Sequence, residues 1–241
     1  MRITKYTVSA AVPQSLRFLV LSDLHGCDNA PLLAAIRRES PDAVLLPGDC
    51  VHNAVSYAEG VEFLSEAARL CPVFCSIGNH EQKYGEGVDA LLAATGAVVL
   101  DNSAARFGGI TVGGLSSGFA RGGQQGRLKE TPPPDLAWLA EFDRTEGYKL
   151  LLCHHPEYFP RYIRQTGIDL TLAGHAHGGQ WRIGNQGVFA PGQGIFPRYT
   201  GGLYEGRLLV SRGLGNPHCI PRIFNAPEII LLQLDNSEVS R

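Results

Sequence analysis

Short apolar runs, each ended by a polar or glycine-containing turn, recur along the chain. In the first half they occur at 17–21, 43–46 and 73–77. An uninterrupted apolar run of this length predicts a strand that is buried on both faces. Segments with helical spacing of apolar residues follow these runs, at 29–38, 56–70 and 88–94. This alternation predicts a parallel sheet that is covered by helices.

The second half of the chain has a less regular pattern. Its apolar runs predict strands at 98–100, 109–115, 149–153, 169–173, 203–211 and 228–234. One helix is predicted between 158 and 165. The stretch 116–130 is polar and glycine-rich, which predicts a mobile surface loop. Two sheets with outer helices, in a single domain over 1–241, fit the whole pattern.

Length and charge narrow the class of protein. The chain has 241 residues, of which 44% are hydrophobic, and this is enough for one sizeable core. Lysine and arginine together number 21 against 23 acidic residues, so the formal net charge is −2. A near-neutral surface argues against a protein that binds nucleic acid through bulk positive charge. It leaves room for a small basic pocket.

The cysteines and the apolar runs bear on location. The cysteines are Cys27, Cys50, Cys71, Cys75, Cys153 and Cys219. A domain of this size does not need disulfides, so we expect free thiols in a reducing compartment. Cys71 and Cys75 have the wrong spacing for a redox pair and are predicted to be small buried residues.

No signal-peptide pattern is visible, and the apolar runs are too short to span a bilayer. We therefore expect a cytoplasmic protein without an integral membrane segment, and peripheral contact with a membrane stays open.

Five short polar motifs stand where predicted strands end. They are Asp23-Leu24-His25, Gly48-Asp49, Gly78-Asn79-His80-Glu81, His154-His155-Pro156 and Gly174-His175-Ala176-His177. Open α/β sheets bind ligands at the carboxyl ends of their strands, because the loops there converge on one crevice. Carboxylate, imidazole and amide donors together suit Mn²⁺, Fe or Zn²⁺. The motifs therefore predict a metal site at this edge.

The spacing within two motifs adds to this prediction. His175 and His177 are two residues apart, as are Asp23 and His25. In extended backbone this spacing directs both side chains of a pair toward the same side. Any one of the five motifs alone is more often an ordinary turn. All five after apolar strands are hard to explain by chance.

The set DLH, GD, GNHE, HHP and GHAH resembles the calcineurin-like metallophosphoesterases. The stretches "GHAHGGQ", "SRGLG" and "PRIFNAPEI" resemble the small bacterial phosphodiesterase branch of that superfamily. The resemblance implies an α/β fold, a four-layer α/β/β/α sandwich with two mixed β-sheets. It also implies a dinuclear metal site at the C-terminal ends of the strands.

The resemblance also implies a role for each motif residue. One metal would be held by Asp23, His25 and His177, the other by Asn79, His154 and His175, and Asp49 would bridge the two. His80, next to Asn79, would be the catalytic histidine, and Asp49 would share in catalysis as the bridge. His155 is the weaker choice in its motif, because the position before the proline varies in the family.

The implied reaction is hydrolysis of a phosphate ester by a hydroxide that bridges two divalent transition metals, with Mn favoured. A phosphodiester is favoured over a monoester, and its alcohol is left open between nucleotide-linked and lipid-linked groups. Arg198, Tyr199 and Arg212 are candidate substrate contacts, since arginine suits phosphate. Each is explained equally well as a structural loop residue.

Two rival functions stay in view. A catalytically silent metal-binding scaffold on the same fold should have lost ligands, yet all seven expected ligands and His80 are present. A nuclease is disfavoured by the net charge of −2 and by the lack of a long basic tract. The oligomeric state is left open.

Overall fold

Helices follow the first strands of the chain, and strands dominate its second half. The structure, a computed structural model, describes residues 1–51, 57–84, 87–122, 131–216 and 221–236. The helices are α1 (Asn29–Glu39), α2 (Tyr57–Ala68), α3 (Asn79–Tyr84), α4 (Gly87–Ala93) and α5 (Leu136–Asp143). The longer strands are β1 (Arg2–Ala10), β2 (Leu16–Val20), β3 (Ala43–Leu46), β4 (Val73–Ser76), β5 (Val98–Leu100), β6 (Ser103–Phe107), β7 (Ile110–Leu115), β8 (Lys149–Cys153) and β9 (Leu170–Ala173).

The remaining strands are mostly short. They are β10 (Arg182–Ile183), β11 (Gln186–Gly187), β12 (Phe189–Ala190), β13 (Gly194–Ile195), β14 (Gly202–Tyr204), β15 (Leu208–Val210) and β16 (Glu228–Asn236). A π-helical turn spans Phe159–Ile163, and a 3₁₀ turn spans His177–Gly179.

The strands form two mixed six-stranded sheets. The first has the order β1-β16-β2-β3-β4-β5, in which β2 to β5 are parallel and β16 is antiparallel to β2. The second has the order β14-β15-β9-β8-β7-β6, in which β14 and β6 are antiparallel edges. Two small ribbons, β10-β11 and β12-β13, lie outside these sheets. The prediction of two sheets is confirmed.

Strand β8 shows why its sequence is apolar without interruption. Leu150 and Leu152 belong to a buried cluster that contains side chains of both sheets. Leu151 and Cys153, which alternate with them, belong to a second cluster with α5 and the π-helical turn. Because successive side chains of a strand point to opposite faces, β8 is buried on both. A third cluster packs α1, α2 and α4 against the first sheet.

Several predicted elements need correction. The strand predicted at 203–211 is wrong, because the chain turns back at Glu205 and Gly206 and forms the β14-β15 hairpin. Both turn residues have positive φ, 53° and 66°. Strand β1 and helices α3 and α5 were not predicted. Of the loop predicted at 116–130, residues 123–130 lie outside the described part of the chain.

The cysteine and membrane predictions also meet the structure. Five cysteines, Cys27, Cys50, Cys71, Cys75 and Cys153, are free thiols, and Cys219 lies outside the described residues. Cys75 is buried as predicted, but Cys71 is only half-buried. Within the described ranges, no helix is both long enough and apolar enough to cross a bilayer.

Candidate metal centre

The five polar motifs meet at one edge of the two sheets, as predicted. Asp23, Asp49 and Asn79 follow β2, β3 and β4 of the first sheet. His154 and His175 follow β8 and β9 of the second sheet. All these strands run parallel within their sheets, so their carboxyl ends share an edge. The site is thus built from both sheets.

The first group of donors is Asp23, His25 and His177. Their ligand atoms all lie within 4.8 Å of one another. The Oδ1 atom of Asp23 is 3.5 Å from Nε2 of His177 and 3.8 Å from Nε2 of His25. This is the set of side chains that the family resemblance implies for one metal.

The second group contains Asp49, His154 and His175, again with ligand atoms within 4.8 Å of one another. Nδ1 of His154 is 2.8 Å from the carbonyl oxygen of Pro47. A carbonyl only accepts, so Nδ1 carries a proton in either charge state of the ring, and Nε2 offers a lone pair when a metal replaces its own proton. That Nε2 is 3.1 Å from Oδ2 of Asp49. Lone pairs that converge in this way fit a bound cation.

The carboxylate of Asp49 lies between the two groups. Its Oδ2 is 3.6 Å from Nε2 of His25 in the first group and 3.1 Å from Nε2 of His154 in the second. Its Oδ1 accepts a 2.9 Å hydrogen bond from the backbone N–H of His80. A carboxylate with nitrogen donors of both groups around it has the position of a bridging ligand.

Asn79 and His80 are the first two residues of α3. Asn79 is buried, whereas 19% of the His80 side chain is exposed. Nε2 of His80 is 3.9 Å from Oδ2 of Asp49, and its ring centre is 4.7 Å from that of His25. The structure therefore brings His80 into the same space as the metal donors, on a side that solvent reaches.

The backbone of the donor residues differs from the expectation. Five of them have positive φ, namely Asp23 (53°), His25 (42°), Asp49 (55°), His175 (63°) and His177 (44°). The extended backbone assumed for the two paired motifs is therefore wrong, although the side chains of each pair do converge. A left-handed conformation costs a non-glycine residue of order 1 kcal/mol or more, and such residues concentrate at functional sites.

Two glycines allow the loops to approach closely. A Cβ atom on Gly174 would lie 1.8 Å from Oγ of Ser22, and one on Gly78 would lie 2.3 Å from Oδ1 of Asp49. These separations are far below van der Waals contact, so a side chain at either position would displace the donor loops.

Glu81 holds two donor loops together, those that follow β3 and β4, and no role was predicted for it. Its Oε2 accepts hydrogen bonds from the backbone N–H groups of Gly78, at 2.8 Å, and of Asp49, at 2.9 Å. Its Oε1 accepts one from Val51 at 3.1 Å. Burial and the neighbouring charge of Asp49 raise the pKa of Glu81 to about 7. The only signal was its place at the end of the GNHE motif.

His155 and Glu157 lie next to His175. The ligand atoms of these three residues are within 4.8 Å of one another. Nδ1 of His155 is 3.4 Å from Oε1 of Glu157, which also accepts a short hydrogen bond from Thr131. Nε2 of His155 is 2.7 Å from Oγ of Ser117. The ring nitrogens of His155 thus face Glu157 and Ser117, whereas Nε2 of His154 faces the shared carboxylate of Asp49.

The charges of the site favour a cation. Burial alone would raise the pKa of Asp49, but His154 and His80 hold it well below its ordinary value. Burial alone would lower the pKa of His154, but the charge of Asp49 raises it to about 10. Buried carboxylates therefore draw positive charge into the site, which a bound metal also supplies.

The predicted substrate residues have other surroundings. Arg198 and Arg212 line a cleft of about 660 Å³ whose lining contains none of the seven predicted metal ligands. Tyr199 is buried in the cluster that covers the second sheet, and its hydroxyl accepts a hydrogen bond from Arg164 at 2.8 Å. Substrate contact by these three residues stays a prediction.

Comparison with known proteins identifies the family. Residues 16–179 match the model of the calcineurin-like phosphoesterase family. The chain is 30% identical over 241 residues to the phosphodiesterase YaeI of Escherichia coli strain K12, covering 90% of this chain and 82% of YaeI. It is 26% identical to the metallophosphoesterase YkuE of Bacillus subtilis strain 168, covering 97% and 85% of the two chains. The chain therefore belongs to the calcineurin-like phosphoesterase family. It is a metal-dependent phosphoester hydrolase.

Solved structures include more distant likenesses. The phosphopantetheinyl hydrolase PptH of Mycobacterium tuberculosis is 17% identical, with a TM-score of 0.48, over 86% of this chain and 91% of that one.

Proposed function

We propose that this protein hydrolyses phosphodiesters with two divalent transition metals, held in a four-layer α/β/β/α sandwich that forms one domain over 1–241. The observation that carries the proposal is the carboxylate of Asp49, which lies 3.6 Å from His25 and 3.1 Å from His154. The preference for diesters rests on the likeness to YaeI, which bears the name phosphodiesterase.

The donors divide between the two metals as the two groups suggest. One metal would be held by Asp23, His25 and His177, the other by Asn79, His154 and His175, with Asp49 shared. When bound, two such cations polarise phosphoryl oxygens and lower the pKa of a water molecule. Carboxylate, imidazole and amide donors without thiolate favour Mn²⁺, with Fe and Zn²⁺ as alternatives.

His80 is the proposed proton donor to the leaving alkoxide. It is the most exposed side chain among the donors and lies 3.9 Å from the shared carboxylate. Its backbone N–H donates to Asp49, so the position of the histidine is tied to that of the bridge. A group held at this distance, with access to solvent, can deliver a proton and regain it from water.

Substrate identity and location complete the proposal. Arg198, Tyr199 and Arg212 remain candidate contacts for a nucleotide-linked or lipid-linked phosphodiester, and a cytoplasmic location remains part of the proposal. Nucleic acid is not among the proposed substrates, because the formal charge is −2.

The test is turnover by metal-reconstituted protein. We expect bis-p-nitrophenyl phosphate to be hydrolysed with Mn²⁺ and to resist hydrolysis after chelation. We also expect a higher kcat/KM than for p-nitrophenyl phosphate. A protein that binds two metals yet turns over neither ester is a scaffold. Faster cleavage of single-stranded DNA than of small diesters would favour the nuclease.

A further inference from the structure

An exposed apolar surface lies beside the metal centre. We call it the apolar face, and it consists of Trp181, Ile183, Phe189, Ile195, Phe196, Ile223 and Phe224. Phe224 is 89% exposed and Ile195 73% exposed, and the other members are exposed as well. Single exposed apolar residues are ordinary, but a cluster of this kind marks an interaction site.

Backbone hydrogen bonds show that the apolar face is continuous. Trp181 forms a parallel bridge with Ile223. On its other side, the carbonyl of Trp181 accepts a 2.9 Å hydrogen bond from the N–H of Val188, and the carbonyl of Val188 accepts one of 2.8 Å from Phe196. Phe189 is paired with Ile195 across the β12-β13 ribbon. The apolar side chains therefore project from adjacent backbone segments.

Two residues of the apolar face have an unfavourable backbone conformation. Phe196 and Phe224 have φ of 50° and 52°, a region that bulky side chains rarely adopt. Trp181 donates its indole N–H to the carbonyl of Pro221 at 3.0 Å, so its polar atom is already satisfied. Its ring can then be buried without the loss of a hydrogen bond.

A basic cleft borders the apolar face. It is the cleft of about 660 Å³ described above, and its lining includes Ile183 of the apolar face. The arginines that line it are Arg2, Arg182, Arg198 and Arg212, and none of its lining residues is acidic. Glu228, 3.9 Å from Arg212, and Glu205, 3.7 Å from Arg198, offset only part of this positive charge.

We propose that the apolar face and the basic cleft together dock this protein on the surface of an anionic lipid bilayer. Exposed tryptophan, phenylalanine and isoleucine enter the boundary between headgroups and acyl chains, while arginines attract anionic headgroups.

The apolar face is attached to the metal centre. Trp181 is four residues after His177. Asn225, next to Phe224, donates hydrogen bonds to the carbonyls of His177, at 2.7 Å, and Gln180, at 3.2 Å. Docking would therefore hold the metal centre near the headgroups, where a lipid-linked phosphoester lies. The docking itself does not depend on the proposed phosphodiesterase reaction.

Vesicle flotation tests the apolar half of the proposal. The full chain is mixed with vesicles of phosphatidylcholine alone, or of phosphatidylcholine with phosphatidylglycerol. We expect binding to the anionic vesicles, and a loss of roughly tenfold or more in affinity for the Phe189→Ser/Phe224→Ser variant, since it removes two exposed aromatic side chains that the bilayer would bury. Leu136→Ser is the matched control, because Leu136 is 47% exposed and lies outside the apolar face.

Two single substitutions test the contribution of the basic cleft. Arg2→Gln and Arg198→Gln should each weaken binding to anionic vesicles about fivefold at low salt. Equal binding to both kinds of vesicle, or parental binding by the phenylalanine variant, would overturn the proposal. The proposal would also be overturned if sedimentation showed that the parent is a dimer and that the phenylalanine variant is a monomer.

Hydrolysis of bis-p-nitrophenyl phosphate by the phenylalanine variant should equal that of the parent, whether or not vesicles bind. This soluble assay separates failure of docking from failure of the proposed reaction. A variant with parental melting temperature and turnover but lost flotation supports the docking surface directly.

Discussion

The two groups of metal donors differ in the charge that lies next to them. Next to His175, in the second group, are His155 and the carboxylate of Glu157, with ligand atoms within 4.8 Å of one another. Behind His177, in the first group, is the guanidinium of Arg222, whose Nη2 is 3.3 Å from Nδ1 of the imidazole. Burial lowers the pKa of both imidazoles, but the charge of Glu157 opposes this effect at His175, whereas the charge of Arg222 adds to it at His177.

The proton positions sharpen this difference. Arginine only donates, so Nδ1 of His177 accepts, and the proton of the neutral ring is then on Nε2, which faces Asp23. Metal binding at Nε2 would move that proton to Nδ1, where it would face Arg222. His154 already has the tautomer that a metal needs, because Pro47 accepts from its Nδ1. We infer that the second group binds its metal more tightly than the first.

The largest expected effect comes from the residue that both groups share. Asp49→Asn removes the charge and the second oxygen ligand. The affinity for both metals should therefore fall by more than the roughly 10–100-fold that is typical when a residue that hydrogen-bonds to a metal ligand is lost. Turnover should be abolished. Elemental analysis after dialysis measures the metal content. His177→Ala is the matched comparison and should affect mainly one metal. Metal content near that of the parent in Asp49→Asn would remove the bridging role.

His80→Ala should come next in size. The variant should retain both metals and the melting temperature, yet lose roughly 10²–10⁴-fold in kcat, the range for a positioned general acid. An alkyl phosphodiester should suffer more than a p-nitrophenyl ester, because its alkoxide needs a proton to leave. Equal losses would mean that His80 orients phosphate. A lost metal would make His80 a ligand.

Glu157→Gln should weaken metal binding by the second group alone. The change keeps the volume of the side chain but removes the charge next to His175, and we expect a loss of roughly 10–100-fold in affinity for the tighter metal. Titration of chelator-treated protein with Mn²⁺ measures both affinities. Thr131→Val, which removes a hydrogen bond to Glu157 but leaves the charge, is the control and should have a smaller effect. An effect confined to the weaker metal would contradict the comparison.

Arg222→Gln should have the smallest effect and the opposite sign. Removing the cation behind His177 should raise affinity for the weaker metal by roughly tenfold, since a unit charge in this range is worth about 1–4 kcal/mol before screening. The same titration measures it, together with the pH dependence of metal binding. Unchanged or lower affinity would show that Arg222 supports the first group through its hydrogen bonds to Arg212 and Gly215.

The sequence predicted the donors better than the partners behind them. The donors follow apolar runs, and such runs become parallel strands whose carboxyl ends share an edge, so Asp23, Asp49 and His154 could be placed together. Glu157 and Arg222 could not, because their roles depend on contacts across 18 and 45 residues of chain that no local pattern encodes. The left-handed backbone conformation of His175 could not be predicted for the same reason.

The fold was predicted where both faces of a strand are buried. Strands β3 and β8 were predicted at their observed bounds. The edge strand β1 was missed because its exposed positions alternate with partly buried ones and its residues are mostly polar. The ribbons β10 to β13 contain only two residues per strand, which is too short for any period to appear. The proximity of the residues that form the apolar face therefore could not be predicted from the sequence.

The pairing of β1 with β16 has a consequence for synthesis. Nine residue pairs, from Arg2 with Glu228 to Ala10 with Asn236, join these strands, and β16 lies between β1 and β2. Strands β1 and β2 are consecutive in the chain but cannot become neighbours in the sheet. At about 5–20 residues per second, a ribosome reaches β16 on the order of ten seconds or more after β2. During that interval the first sheet presents an open strand edge, which is the interval when a nascent chain most needs protection from other strands.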